Sequence, residues 1–224
     1  MTDAGNLYFS YGSNMDVDQM AFRQLGVEMS RGAVLEGYKL AFDFPARARW
    51  LGGAADIIEE PGSTVEGVLH TLTDDVSIMD PWEGGYERVA VEVSVLPTLE
   101  QERAWTYVVI DRGEPMTPSH IYVDQMLKGA REAGLSSAYI DQLERHWKDG
   151  RKELGDHVEM VRVLAHTNRP LSLEDLADSL ELSIDGTVSV LSDLGRWGWV
   201  HSFNEPPVFR LVEGKERASP WILR

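Results

Sequence analysis

The apolar positions in the first half of the chain fall into short runs rich in aromatic and β-branched residues, separated by glycine, proline and polar turns. Residues 6–11, 38–44, 54–59, 65–72, 87–96 and 103–110 each have the length and composition of a strand. Within 89–95 apolar and polar residues alternate for part of the run, as on a sheet with one wet face. Pro61-Gly62-Ser63 predicts a hairpin turn between two of these strands. Helical spacing is confined to a stretch after Asn14, a short one at 74–82, and longer ones at 119–133 and 137–148. Strands and helices therefore segregate rather than alternate. That pattern predicts an α+β fold with a mainly antiparallel or mixed, partly closed sheet.

The second half has a different character. Residues 148–155 are polar, contain two glycines and predict a linker between a domain at 1–150 and another at 156–224. Beyond it, Val158, Val161 and Leu164 share one helical face. Ser172 stands where an N-cap belongs, with Asp175 three positions later, ahead of Leu173, Leu176, Ala177 and Leu180. Ile184, Val188, Leu191 and Leu194 predict the inner face of a third helix ending near Gly195. Residues 199–203 and 208–211, separated by Asn-Glu-Pro-Pro, predict a two-stranded wing. Three short helices followed by a hairpin resemble a winged helix-turn-helix domain.

Charge decides how that resemblance is read. The chain carries a formal −16, and it is acidic on both sides of Gly155. Such a balance opposes attraction to a phosphate backbone. The outward positions of the third helix are expected to include Asp185, Thr187, Ser189, Ser192 and Asp193, with Arg196 as the neighbouring cation. Arg210, Lys215 and Arg217 lie in or after the wing. A DNA-reading helix normally presents basic and amide side chains instead. Protein contact or self-association into a homo-oligomer is the better expectation for this domain.

Composition narrows the chemistry. There is no cysteine, which removes disulfides and thiolate metal sites. The six histidines show no metal-ligand spacing, no Gly-Lys-Ser/Thr follows the glycine pairs, and Ser13 lacks a nucleophile-elbow context. The first residues have neither a basic flank nor a long apolar stretch, and no run has the length of a membrane span. A cytoplasmic protein is expected.

Residues 7–15, Leu-Tyr-Phe-Ser-Tyr-Gly-Ser-Asn-Met, run from a buried-strand pattern into a sharp glycine turn. Gly12 would let backbone N–H groups approach a small anion or a carbonyl, ahead of a following helix N-terminus. An ordinary tight turn has the same local pattern. A second segment changes the balance: Asp80-Pro81-Trp82-Glu83-Gly84-Gly85-Tyr86-Glu87-Arg88. Together, Tyr-Gly-Ser-Asn, Asp-x-x-Glu-Gly with Tyr-x-Arg, and the later Pro118-Ser119-His120-Ile121-Tyr122 resemble the gamma-glutamylcyclotransferase, or AIG2-like, family. The resemblance runs from about Asn6 to Trp147 and includes Gly129-Ala130 and Gly134-Leu135.

That resemblance implies a small mixed or antiparallel β-barrel with flanking helices. It also implies an enzyme that turns a gamma-glutamyl amide or dipeptide into 5-oxoproline plus a free amine or amino acid. Glu83, at the family's glutamate position, is implied as general acid/base. Tyr8, Phe9, Ser10, Tyr11, Gly12, Ser13, Asn14 and Tyr122 are implied as the substrate-binding set. The chemistry needs no metal and no organic cofactor, because nucleophile and electrophile belong to one substrate molecule. Gly84 and Gly85 would leave room beside Glu83, and Trp82 and Tyr86 would lower the dielectric around it. Arg47 and Arg49 are candidates to pair with a substrate carboxylate. Arg88 is expected to act structurally. The alternative is a non-catalytic small-molecule sensor on the same scaffold, coupled to a regulatory or DNA-binding winged helix.

Overall fold

The computed structural model describes residues 5–167, 169–203, 206–213, 215 and 220–223. Five strands form its centre: β1 (Leu7–Ser10), β2 (Val27–Pro45), β3 (Gly53–Leu72), β4 (Tyr86–Val95) and β5 (Glu100–Val109). They close into a barrel in the order β1-β3-β2-β4-β5. Closure is made by a parallel contact of Tyr8 with Trp105, and every other pairing is antiparallel. All six expected strand regions overlap these five strands, and two of them share β3, which corrects the expected turn between them.

Pro61-Gly62-Ser63 does not reverse the chain. The runs at 54–59 and 65–72 are one strand, because both pair with β2. The register passes from Tyr38 opposite Glu59 to Glu36 opposite Thr64, so the intervening residues are accommodated as an irregularity. Gly37 (φ 80°) and Gly62 (φ 88°) supply the left-handed conformations it needs. The reversal between β2 and β3 falls instead at the short helix α2 (Arg47–Trp50).

Around the barrel lie α1 (Val17–Phe22), α3 (His120–Glu132) and α4 (Ser137–His166), with single 3-10 segments at Ser13–Met15 and Val76–Trp82. Phe9, Leu35, Val65, Leu69, Val93 and Ala104 fill a core shared with Val123, Met126, Leu127 and Ala130 of α3. Gly129 allows α3 to meet the turn after β1: a Cβ there would lie 2.3 Å from the Met15 carbonyl carbon. That contact fixes the turn's height above the barrel.

The segment expected to be a linker is helical. α4 continues through 148–155, and its 30 residues span about 45 Å. Gly150 marks close packing, since a Cβ there would sit 2.3 Å from the Pro118 carbonyl oxygen, whereas one on Gly155 would meet only the Arg151 side chain at 3.6 Å. The first half of α4 packs in the barrel core and the second half in another cluster. There Val158, Val161 and Leu164 meet α5 (Leu173–Leu180), α6 (Ile184–Arg196) and β7 (Val200–Phe203). Ser172 and Asp175 make the reciprocal capping box that the spacing predicts, a device worth about 1 kcal/mol. β6 (Leu171–Ser172) and β8 (Val208–Leu211) join β7 in the order β6-β8-β7, one strand more than a hairpin.

α6 is turned relative to the sequence-based expectation. Thr187, Val190, Leu191 and Leu194 face inward, while Ile184 and Val188 are exposed. Thr187 is accommodated because its hydroxyl donates to the Ser183 carbonyl at 3.0 Å. Asn204, Glu205 and Arg217 lie outside the described residues. Among the described residues no helix is long and apolar enough to cross a membrane.

Candidate active site

At one end of the barrel a cavity of about 390 Å³ opens between β1, the turn after it, α2 and the loop leading into β4. Tyr8, Ser10, Tyr11, Gly12, Ser13, Asn14, Glu83 and Tyr122 all line it. Phe9 does not. Its side chain alternates to the other face of β1 and is fully buried in the barrel core, while its carbonyl accepts a 2.8 Å hydrogen bond from Thr106. Phe9 is therefore corrected from a substrate contact to a core residue.

The loop carrying Glu83 is tied down before and after it. The Asp80 carboxylate accepts from the Tyr107 hydroxyl at 2.6 Å and lies 3.5 Å from Arg88. Its carbonyl accepts from the Glu83 amide at 3.2 Å, and the Glu83 carbonyl accepts from Tyr86 at 3.0 Å. Arg88 also stacks over Trp105 and so acts structurally, as expected. Gly85 has φ 92° and faces Phe44, where a Cβ would come within 2.5 Å of the ring. Gly84 has open space beside it. Only Gly84 thus leaves the room expected of the pair.

Glu83 is mostly buried and is held by two donors on one oxygen. Arg23 Nη1 lies 2.5 Å and Asn14 Nδ2 3.0 Å from Oε1. Arg23 is itself 5% exposed, so this is a largely desolvated ion pair. Its guanidinium also sits 5.9 Å from the Trp82 ring, which is otherwise partly open to solvent. A cation and an amide thus hold the Glu83 carboxylate beside the aromatic residues expected to lower the dielectric around it.

The facing turn is equally fixed. Asn14 Nδ2 also donates to the Tyr8 hydroxyl at 3.0 Å. The Asn14 carbonyl accepts from His70 Nε2 at 2.9 Å, while Ser30 Oγ lies 2.8 Å from His70 Nδ1. Because a carbonyl only accepts, the proton sits on Nε2 and Ser30 donates to Nδ1. Burial depresses the His70 pKa to about 4, so the ring is neutral at pH 7. On the other side the Tyr122 hydroxyl accepts from the Ala55 amide at 3.1 Å and packs against Gly12. Tyr86 donates to the Ala55 carbonyl at 2.9 Å. Burial raises the pKa values of Tyr8, Tyr11, Tyr86 and Tyr122, with the nearby Glu83 carboxylate adding to three of them. These phenols are hydrogen-bonding groups at neutral pH, not proton carriers.

Of the two candidate arginines, Arg49 lines the cavity and Arg47 does not. Burial and then the neighbouring Arg23 lower the Arg49 pKa, with Glu83 and Tyr122 opposing. Arg47 is turned outward, 6.0 Å from the Trp197 ring. Two residues central to the geometry, Arg23 and His70, were not singled out by sequence. The wall also offers unmatched polar atoms: Asn14 Oδ1 and Arg23 Nε are buried without a hydrogen-bond partner among the described residues. A cavity with one carboxylate, two guanidiniums and several phenols fits a small, polar, carboxylate-bearing molecule.

The chain is similar in sequence and in fold to known proteins. The AIG2-like family profile matches residues 64–143. The chain is 31% identical over 144 residues to a gamma-glutamylcyclotransferase of Mus musculus, covering 62% of this chain and 77% of that protein. It is 30% identical over 143 residues to the gamma-glutamylcyclotransferase of Bos taurus, covering 61% and 76% respectively. A solved gamma-glutamyl cyclotransferase structure is similar with a TM-score of 0.56 at 27% identity, over 62% of this chain and 86% of that one.

Proposed function

The chain belongs to the gamma-glutamylcyclotransferase family, and on that premise we propose that it releases 5-oxoproline from a gamma-glutamyl amide or dipeptide. The observation that carries this reading is the placement of Glu83 and the Gly12–Asn14 turn on one cavity wall system, linked through Asn14. The substrate's α-amine attacks its own γ-carbonyl carbon and closes a five-membered lactam. Glu83 takes the proton that the amine sheds. As the tetrahedral intermediate collapses, the C–N bond to the other moiety breaks and Glu83 returns that proton to the departing nitrogen.

The protein's remaining work is positional. Arg23 and Asn14 both engage Oε1, which leaves Oε2 to exchange the proton. Amides flanking Ser13 would hold the substrate's α-carboxylate or the oxyanion that develops on the attacked carbonyl. Tyr122 borders the same turn and serves as a further substrate contact. Holding amine and carbonyl in the cyclising conformation removes much of the entropic barrier.

For residues 156–224 we read a winged-helix-like domain used for contacts with protein, including a second copy, rather than with DNA. The support is the outer side of α6, which presents Ile184, Asp185 and Val188, while Arg196 is paired with Asp193. A panel of gamma-glutamyl amines and dipeptides, assayed for 5-oxoproline, tests the catalytic reading. Release from at least one compound supports it. A site that binds these compounds without converting any of them leaves the sensor alternative.

A further inference from the structure

The cavity is not built by the barrel alone. α2 forms one wall, through Ala48, Arg49 and Trp50, and its opposite side is gripped by the C-terminal elements. Trp199 Nε1, on a residue 1% exposed, donates to the Arg47 carbonyl at 2.8 Å. Lys215 Nζ donates to the Ala48 carbonyl at 2.7 Å and lies 4.7 Å from the Trp199 ring centre. The Arg47 carbonyl also accepts from the Leu51 amide at 3.2 Å, so the indole adds a second donor to it, whereas the Ala48 carbonyl is one that a four-residue helix cannot satisfy internally.

The residue that ends α2 makes the attachment deeper. Leu51 adopts φ 62°, a left-handed conformation that costs a leucine on the order of 1 kcal/mol. Its side chain is fully buried, in the cluster formed by Val158, Leu164, Leu191, Leu194 and Trp199 rather than in the barrel core. The preceding Trp50 faces the other way, 5.1 Å from Tyr122 in the barrel core. The turn is thus divided: Arg49 and Trp50 face the cavity, while Leu51 and two carbonyls belong to the C-terminal side.

A second attachment reaches the wall that carries Arg23. Trp221 Nε1 donates to Gln19 Oε1 at 2.6 Å, and its ring lies edge-on to Phe22, 6.2 Å away. Gln19 and Phe22 belong to α1, immediately before Arg23, the partner of Glu83.

Building on the catalytic reading above, we propose that the C-terminal segment completes the active site. Trp199 and Lys215 are positioning residues that set the 47–51 turn and thereby the substrate-contacting wall of Arg49 and Trp50. Occupancy of the cavity and the packing of the C-terminal elements are then coupled, and the coupling is reciprocal. Neither residue touches the atoms that react.

The test uses the full chain with Trp199→Phe, which keeps an aromatic ring and loses the donor, and Lys215→Met, which keeps length and loses the charge. Two quantities are read: KM and kcat for a gamma-glutamyl substrate, and amide hydrogen exchange of residues 49–51. The proposal predicts KM raised roughly 2- to 10-fold in each variant, the range one hydrogen bond supports, with kcat within about twofold and faster exchange at 49–51. Plain loss of stability would lower kcat by shrinking the active fraction and leave KM alone. Unchanged KM in folded variants overturns the proposal, whatever kcat does. If the wild type converts no gamma-glutamyl compound, the catalytic reading is what fails. Exchange at 49–51 then decides alone, and unaltered exchange in both variants overturns the proposed positioning.

Discussion

Asn14 and Glu83 stand 69 positions apart and meet side chain to side chain at 3.0 Å. The contact joins the turn after β1 to the loop before β4, so two separate sequence motifs are one device. Asn14 spends one amide group on both Glu83 and Tyr8, which locks its orientation as well as theirs.

Asn14→Asp puts a second carboxylate against Glu83 and removes both donated bonds. We expect kcat for 5-oxoproline release to fall about 100-fold or more, with a smaller loss of about 10-fold for Asn14→Ala. Steady-state kinetics on the two variants check the order of these effects.

Arg23 and Glu83 form the most desolvated ion pair at the site. Arg23→Met leaves the carboxylate without its cation, and the expected cost is about 3 kcal/mol of stability. Arg23→Lys keeps charge but loses the planar fork and should cost less. Urea unfolding of both variants, read by midpoint at constant slope, measures the difference.

Gly12 and Tyr122 give a test of geometry that does not depend on turnover. A Cβ on Gly12 would lie 2.8 Å from the Tyr122 hydroxyl oxygen but 4.0 Å from the ring carbon that carries it. Gly12→Ala should therefore destabilise the wild type by about 1 kcal/mol or more, yet be nearly neutral in a Tyr122→Phe background. A double-mutant cycle on thermal or urea stability reads the coupling, and additive effects would place the hydroxyl elsewhere.

His70 predicts the response to acid. Its pKa is about 4 in the folded protein against 6.5 for the free side chain, so the unfolded chain binds more protons between those values. The His70 contribution to stability is constant above pH 6.5, falls as the pH drops from 6.5 to 4, and amounts to about 3 kcal/mol across that window. His70→Asn should flatten this part of the stability profile, as followed by denaturant midpoints between pH 8 and 4.5.

What the sequence revealed depended on how local each signal was. Tyr8–Asn14, Glu83 and Tyr122 were visible because each sits in a short motif, and all but Phe9 reach the cavity. Phe9 fails by strand alternation, which sends it to the opposite face from Tyr8 and Ser10. Arg23 follows a six-residue helix with no distinguishing neighbours, and His70 lies in a run that otherwise looks like ordinary core strand. Their importance exists only once β1, β3 and the Glu83 loop are brought together. The misplaced turn at 61–63 and the helical course of 148–155, where a linker is expected, share a cause. Glycine has the local look of punctuation, yet it serves a strand irregularity in one case and, at Gly150, close helix packing in the other.

The central claim is that Glu83 moves the proton for a molecule held by the opposite wall. It is tested most directly by Glu83→Gln on the best gamma-glutamyl compound, with equilibrium binding and 5-oxoproline release measured on the same preparation. The account predicts binding within about tenfold of wild type and product release reduced about 10³-fold. Release within tenfold of wild type from the folded variant would contradict it.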